Sequence, residues 1–269
     1  MQELNYIKYR CRVKDIGVWT KEVLQELYHQ LLYCSTDELR PALMGVLVRQ
    51  NATLLTCATD GHVLRLIRDV DPEKKCHLSK RMFEGILSNK CIQLVARFVI
   101  NSAKVSIANN VIKFDLNDGI EIYSRLIEGQ YPKFENVLPE NITGTIQFDR
   151  ELMLNLANNA KPFANRYTHL SEVKVNSDHL ALTVEDIESD TTWHSNMPVN
   201  SKTGKDILLG LDLELLHKVL KSIDEKEIVW SYTTPTSAST FTSANGNPLK
   251  ITNLLMPIRL KDKEEISDG

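Results

Sequence analysis

The chain has 269 residues, 42% of them hydrophobic and 25% charged, and a formal net charge of −3. Such a balance is that of a soluble globular protein long enough for two domains, each with its own core. It excludes nucleic-acid binding driven by bulk charge, which would need a local basic face. The five cysteines (Cys11, Cys34, Cys57, Cys76 and Cys91) contain no C-x-x-C pair and sit mostly in apolar runs. They read as reduced core residues of a cytoplasmic protein, not as a disulfide framework. Glu3, Lys8 and Arg10 near the start argue against a signal peptide, and no apolar run approaches membrane-spanning length.

In chain order, Tyr6–Trp19 alternates apolar and polar residues and predicts a strand. Thr20 stands at a helix N-cap, with Glu22 in the first turn. Val23, Leu24, Leu27, Tyr28, Leu31 and Leu32 then form one helical stripe, ended by Ser35-Thr36-Asp37. Strands follow at Ala42–Arg49 and Thr53–Val70. The second of these contains Ala58-Thr59-Asp60-Gly61-His62-Val63-Leu64, and an Asp-Gly pair between β-rich runs predicts a hairpin turn. Asp60 and His62 could also be a proton-transfer pair, but Asp and Gly are what a tight turn demands anyway. After the loop Asp71–Lys75 and a short run Cys76-His77-Leu78, Ser79 is expected to cap a second helix with Met82, Phe83, Ile86 and Leu87 inward. Strands at Cys91–Ile100, Lys104–Ala108, Val111–Leu116 and Glu121–Ile127 complete the first half.

Beyond the proline-bearing joint Tyr131–Asn141 the rhythm repeats. Thr143–Phe148 is a strand, and Asp149 caps a helix carrying Leu152, Met153, Leu156, Ala157 and Ala160. Strands Leu170–Val175, Leu180–Ile187, Thr191–Met197 and Ile207–Leu211 lead to Asp212. A helix with Leu213, Leu215, Leu216, Val219, Leu220 and Ile223 follows, then strands Ile228–Thr233, Ser239–Ser243 and Leu249–Ile258. Each half reads roughly as β-α-β-β-β-α-β-β-β, an α+β domain with two helices packed on antiparallel sheets. The expected boundaries are 1–139 and 140–260, with the joint near Pro139 and a disordered acidic tail over 261–269.

Three motifs carry a resemblance to a known family. Ala58–Leu64, Leu126-Ile127-Glu128-Gly129-Gln130-Tyr131-Pro132 running on to Val137-Leu138-Pro139, and Leu254-Leu255-Met256-Pro257-Ile258-Arg259-Leu260 are similar to segments of the bacterial DNA sliding clamp, the beta subunit of the replicative polymerase III holoenzyme. The resemblance covers nearly the whole chain and matches that family's second and third clamp-type domains. It implies a processivity factor in DNA replication, a ring of six such domains around duplex DNA. Two domains per chain then suggest a homotrimer rather than a dimer. It also implies docking of polymerase and clamp loader by short linear peptides in a hydrophobic groove. By position in the motifs, that groove would use Leu43, Thr59, Gly61, His62, Val63, Leu64, Pro139, Leu254, Met256, Pro257, Ile258 and Arg259. Val63 departs from the arginine usual there.

On the expected helices, Lys21, Lys80, Arg81, Arg150, Lys161, Arg166, Lys218 and Lys221 would face DNA, interrupted by Glu22, Glu26, Glu84, Glu151 and Glu214. An ordinary solvated face with i,i+4 pairs such as Glu214–Lys218 is the simpler alternative for those positions. No sequence-specific base reading is expected. Two other readings stand beside the clamp. One is a clamp-like interaction module that does not encircle DNA. The other is a hydrolase built on Asp60 and His62 with Glu185 or Asp186, but no metal-ligand spacing, G-x-S-x-G or phosphate-binding glycine loop supports it. The protein is read as non-enzymatic, without metal or cofactor.

Overall fold

The computed structural model describes residues 14–70, 76–79, 81–116, 119–246 and 250–260. The chain divides into two units, Met1–Lys133 with Asn247–Thr252, and Phe134–Gly246 with Asn253–Gly269. The division therefore falls just ahead of Pro139. The first half of the expected opening strand, the loop 71–75 and the tail 261–269 lie outside the described residues.

In the first unit, β1 (Lys14–Thr20) runs into α1 (Lys21–Gln30), which a 3-10 turn extends over Leu31–Tyr33. Thr20 has the extended N-cap backbone, but its hydroxyl makes no capping bond. Val23, Leu24 and Leu27 are buried, whereas Tyr28 and Leu32 of the expected stripe are exposed. The chain continues through a 3-10 turn at Pro41–Met44 into β2 (Gly45–Gln50), β3 (Leu54–Thr59), β4 (Val63–Val70), β5 (Cys76–Leu78) and β6 (Phe83–Ser88). Then follow α2 (Asn89–Phe98), β7 (Ser102–Ala108), β8 (Val111–Leu116) and β9 (Ile120–Arg125). The strands pair antiparallel in the orders β5-β1-β7-β8-β9 and β4-β3-β2-β6.

The second helix corrects the sequence expectation. The segment after Ser79 is not helical: Phe83–Ser88 is strand β6, fully paired with β2 from Gly45↔Ser88 to Gln50↔Phe83. The helix starts one step later, where the Ser88 hydroxyl accepts the Cys91 amide at 3.3 Å. Phe83, Ile86 and Leu87 happen to fit helical spacing, but so do Cys91, Ile92 and Val95, which are the residues α2 buries. Gly85 suits the strand, because a Cβ there would lie 2.8 Å from Leu126 Cδ1 and 2.9 Å from the Phe83 ring.

The second unit comprises β10 (Gly144–Asp149), α3 (Arg150–Ala160), β11 (Leu170–Val175), β12 (His179–Asp186), β13 (Thr191–Pro198), β14 (Ser201–Thr203) and β15 (Ile207–Asp212). It ends with α4 (Leu213–Lys221), β16 (Glu227–Tyr232), β17 (Ser239–Ser243) and β18 (Ile251–Leu255), whose residues from Asn253 onward belong to this unit. Both aspartate caps form as the sequence predicts. Asp149 accepts the Leu152 amide, and Asp212 accepts those of Glu214 and Leu215. Such caps each stabilise a helix by about 1 kcal/mol. Leu152, expected inward, is exposed, and Leu154 is buried in its place. Within this unit the strands are ordered β14-β10-β16-β17-β18 and β13-β12-β11-β15. Trp230 stacks on Phe241 at 5.2 Å and meets Tyr232 edge-on at 6.3 Å.

Both units thus have one element order, a strand, a helix, five strands, a helix and three strands, where three strands were expected between the helices. Each unit also closes in the same way. Past β9, Ile127 bridges Ile86 of β6, donating its amide to the Ile86 carbonyl at 2.9 Å. Past β18, Ile258 bridges Gly210 of β15, at 2.8 Å. In both, the strand that leads into the second helix receives the chain that follows the last strand. The repeat lies in the backbone, and the side chains at the two bridges differ.

Candidate functional site

The β3–β4 hairpin is built by its own short side chains. Thr59 Oγ1 donates to the Val63 carbonyl at 2.7 Å and accepts the Gly61 amide at 3.0 Å. Asp60 Oδ1 accepts the amides of His62 at 2.8 Å and Val63 at 2.9 Å. Gly61 sits at φ 101°, a region that costs any residue with a Cβ. The Asp60 carboxylate is thus committed to the turn, and the imidazole of His62 is left exposed at its tip. Val63, Leu64 and Leu43 are buried and support the turn from below, so the face it offers is Gly61 and His62. Arg40, which sequence reasoning missed, lies beside this face. Its Nη1 would be 3.3 Å from a Cβ at Gly61, and Asp37 holds its Nε at 2.8 Å. The only signal was the Asp37-x-x-Arg40 spacing. A cation is therefore present at the turn even though Val63 supplies none.

Behind the hairpin, Arg65 is 3% exposed and donates to Glu26 Oε2 of α1 at 2.7 Å. Burial raises the Glu26 pKa, but the hydrogen bond from His29 and the charge and hydrogen bond of Arg65 outweigh it, and the carboxyl lies below its ordinary range. Tyr131 is buried with its hydroxyl donating to the Cys57 carbonyl at 3.2 Å, and burial pushes its phenol far up. The motif Leu126–Tyr131 is therefore tied to β3 and lines, with Leu47, Gly85 and Ile86, a cavity of about 470 Å³ inside the first unit.

In the second unit, Leu254 and Leu255 are buried where β18 pairs with β17, opposite Thr240 and Ser239. Met256, Pro257 and Ile258 are half-buried and Arg259 is exposed. The Ile258–Gly210 bridge fixes this segment, and glycine is required at 210: a Cβ would fall 2.4 Å from the Ile258 carbonyl oxygen. Pro139 follows the 3-10 turn Phe134–Val137, half-buried.

The basic residues expected to face DNA are not equivalent. Lys80 lies outside the described residues. Arg81 is exposed but precedes β6 and is not on a helix, a consequence of the shifted α2. Lys90 and Arg97 occupy the exposed face of the actual helix; Arg97 was missed because Cys91–Ile100 reads as a strand. Lys21 opens α1, half-buried. Arg150 is largely spent on structure, donating to the Ile223 carbonyl and to Glu151. Lys161, just past α3, pairs with Glu214 of α4 at 2.8 Å. Arg166 is exposed in the loop after α3, and Lys218 and Lys221 lie in the last turn of α4. Between Lys161 and Lys221, the His217 pKa is pulled down by burial first and by those two ammonium groups next. The exposed face of α3 carries Asn155, Asn158 and Asn159 instead of cations. Among the described residues no three His, Cys, Asp or Glu side chains gather as a metal site, and no helix is long and apolar enough to cross a membrane.

Paired helices on antiparallel sheets, repeated in one chain and closed by the same bridge, define a DNA-clamp fold. Residues 19–133 match the family model described as the DNA polymerase III beta subunit, central domain. The beta sliding clamp of Streptococcus pneumoniae serotype 4 is 24% identical over 271 residues, covering 92% of this chain and 67% of the relative. That of Lactococcus lactis is 28% identical over 218 residues, 77% of this chain and 55% of the relative. Among solved structures, the DNA polymerase sliding clamp of Bacillus subtilis superposes with a TM-score of 0.82 at 20% identity, covering 92% of this chain and 65% of that one. The polymerase beta subunit of Streptococcus pyogenes gives 0.83 at 19%, with 94% and 70% covered. The chain is similar to the bacterial beta sliding clamps and shares their fold. It spans between just over half and about two thirds of the length of these curated relatives.

Proposed function

We propose that the protein is a DNA sliding clamp, a non-catalytic cytoplasmic processivity factor that encircles duplex DNA without reading its sequence and tethers a polymerase to it. The observation that supports this best is one backbone unit occurring twice in a chain whose curated relatives are named beta sliding clamps. A ring of six such units takes three copies of a two-unit chain. The helix faces then line the hole with scattered cations and, on α3, neutral amides. Amides hydrogen-bond phosphates without displacing counterions, so the ring slides with little salt-dependent grip and topology holds the DNA.

Partner peptides of polymerase and clamp loader, anchored by Leu or Phe, engage the hairpin side through Gly61, His62 and Arg40 and the C-terminal segment through Met256, Pro257, Ile258 and Arg259, with Thr59 holding the turn from within. A Pseudomonas aeruginosa clamp structure with griselimycin bound, TM-score 0.79 at 19% identity, shows that a clamp of this fold takes a ligand.

Loading onto nicked circular DNA followed by gel filtration tests encirclement. Retention on circles and release after linearisation is expected. Equal behaviour on both would leave the non-encircling interaction module as the better reading. For docking, Met256→Lys is expected to weaken binding of a Leu/Phe-rich polymerase peptide while the melting temperature holds. Unchanged affinity would remove Met256 from the site.

A further inference from the structure

The backbone repeat extends to the loops around the hairpin that offers His62. In the first unit Asp37 Oδ1 accepts the Leu39 amide at 2.9 Å, and Asp60 Oδ1 accepts the His62 amide at 2.8 Å. In the second unit the loop between α3 and β11 and the loop between β12 and β13 carry the same two turns. Asn165 Oδ1 accepts the Tyr167 amide at 3.0 Å, and Asp186 Oδ1 accepts the Glu188 amide at 3.3 Å. These two loops are tied together, because Asn165 Nδ2 donates to Asp186 Oδ1 at 2.9 Å. That bond and the one from the Ser189 hydroxyl, at 2.7 Å, hold the Asp186 carboxyl below its usual range, so the turn carries a fixed anion.

What the second pair of loops presents is different. Tyr167, the counterpart of Leu39, is 87% exposed. Ile187 stands where the first hairpin has Gly61 and is 86% exposed. One such side chain in water is ordinary, whereas two within two residues of the Asn165–Asp186 bond make an apolar patch. The charge is reversed as well. By position in the turns, Thr168 and Glu188 replace Arg40 and His62, and Glu185 and Asp190 are exposed on either side. Arg166 is the cation whose charge acts on Asp186, and among the described residues no ion pair engages Glu185, Glu188 or Asp190. Nor do these carboxylates gather as a metal site.

We propose that these two loops form a second docking face, whose occupant is a basic segment of a partner protein. An aliphatic residue of that segment packs on Tyr167 and Ile187, and flanking Lys or Arg side chains meet Glu188 and Asp190. Such an acidic rim favours a basic segment over duplex DNA and over a second copy of a chain whose net charge is −3. One chain thereby holds two kinds of partner segment, of opposite charge, on the equivalent loops of its two units. This rests on the docking reading of the first hairpin for the likeness between the faces, while the exposed pair and its charge stand without it.

The probe is a fluorescein-labelled peptide alternating leucine and lysine, titrated by anisotropy, with a glutamate-for-lysine version as control. Tyr167 and Ile187 are solvated in the folded chain, so replacing both by serine (Tyr167→Ser with Ile187→Ser) is expected to leave the melting temperature unchanged and to weaken binding at least about tenfold. Glu188→Gln with Asp190→Asn should weaken it about two- to fivefold and flatten its salt dependence. Wild-type affinity in the double serine variant overturns the proposal, as does equal affinity for the control peptide. A photo-crosslinking version of the peptide must label residues 165–169 or 186–191, and labelling confined to other residues overturns it. So does a lower mass in solution for the serine variant than for wild type, which makes a second copy the occupant. Met256→Lys separates the two faces, since the basic peptide must bind it as it binds wild type. If wild type binds the basic peptide but no Leu/Phe-rich one, the docking reading of the first hairpin fails and this face stands; the converse result removes this face alone.

Discussion

The bridge between Ile258 and Gly210 gives a sharp test of how the C-terminal segment is held. In Gly210→Ala the added Cβ would sit 2.4 Å from the Ile258 carbonyl oxygen and 2.8 Å from Leu260 Cδ2. Carbon and oxygen normally rest at about 3.3 Å or more, so the backbone contact is short by about 0.9 Å. Overpacking of this kind costs about 1–3 kcal/mol. Stretching the bond from the Ile258 amide to the Gly210 carbonyl adds about 1 kcal/mol. The side chain of Leu260 can move aside, but the carbonyl cannot without moving the chain. β15 is held along its length by six register partners in β11, whereas the segment 256–260 has left its sheet. The strain is therefore relieved by local release of the segment, not by unfolding of the unit. Hydrogen exchange followed by mass spectrometry reads this directly. A combined penalty of about 2–4 kcal/mol corresponds to roughly thirtyfold to several-hundredfold faster exchange at Ile258, with residues 207–212 unchanged. The reasoning fails if Ile258 exchanges at the wild-type rate, or if β15 and its neighbours speed up together with it.

Three further outcomes follow from the same geometry. Arg65→Met removes the guanidinium from Glu26, which is only 17% exposed and keeps only His29 of the two partners described for it, and is expected to lower stability by about 2–4 kcal/mol in urea titration, partly restored by adding Glu26→Gln. Because the Glu26 pKa is lowered in the folded protein, its contribution is present above the ordinary value of 4.5 and is lost as pH falls through the folded value; Glu26→Gln should abolish that acid limb. The His217 imidazole should titrate below 6.5 by NMR, rise in Lys161→Met, and rise again when duplex DNA is added; a midpoint at or above 6.5 in the free protein contradicts the cationic surroundings described for it. Gly61→Ala, forced to φ 101°, is expected to cost about 1–2 kcal/mol, and an unchanged denaturation midpoint would show that the turn can rearrange.

Much of this architecture was legible in the sequence, for identifiable reasons. Asp149 and Asp212 announce α3 and α4 because a short acceptor side chain before an apolar stripe has few other uses. Asp60-Gly61 marks the hairpin for the same kind of reason. α2 was displaced because Ser79 and Ser88 are equally good caps by residue type, and both are followed by apolar residues at helical spacing. Only pairing with β2, a long-range fact, separates them. Tyr28, Leu32 and Leu152 fit their stripes yet stay exposed, since a stripe drawn from sequence is wider than the sheet that receives it. At the site, the hairpin and the C-terminal motif were readable as local patterns, and Arg40 was not. It reaches Gly61 from across the turn Pro41–Met44, and nothing adjacent in sequence records that approach.

The way the first unit closes also bears on how the chain is made. Tyr131 reaches Cys57, and Ile127 reaches Ile86, before Phe134 has been added. The hairpin that offers His62 can therefore take its support from β2, Tyr131 and the rest of residues 14–133 before most of the second unit is translated. Domain-by-domain folding of this kind keeps early strands from pairing with later ones of the same design, the hazard that a tandem repeat carries.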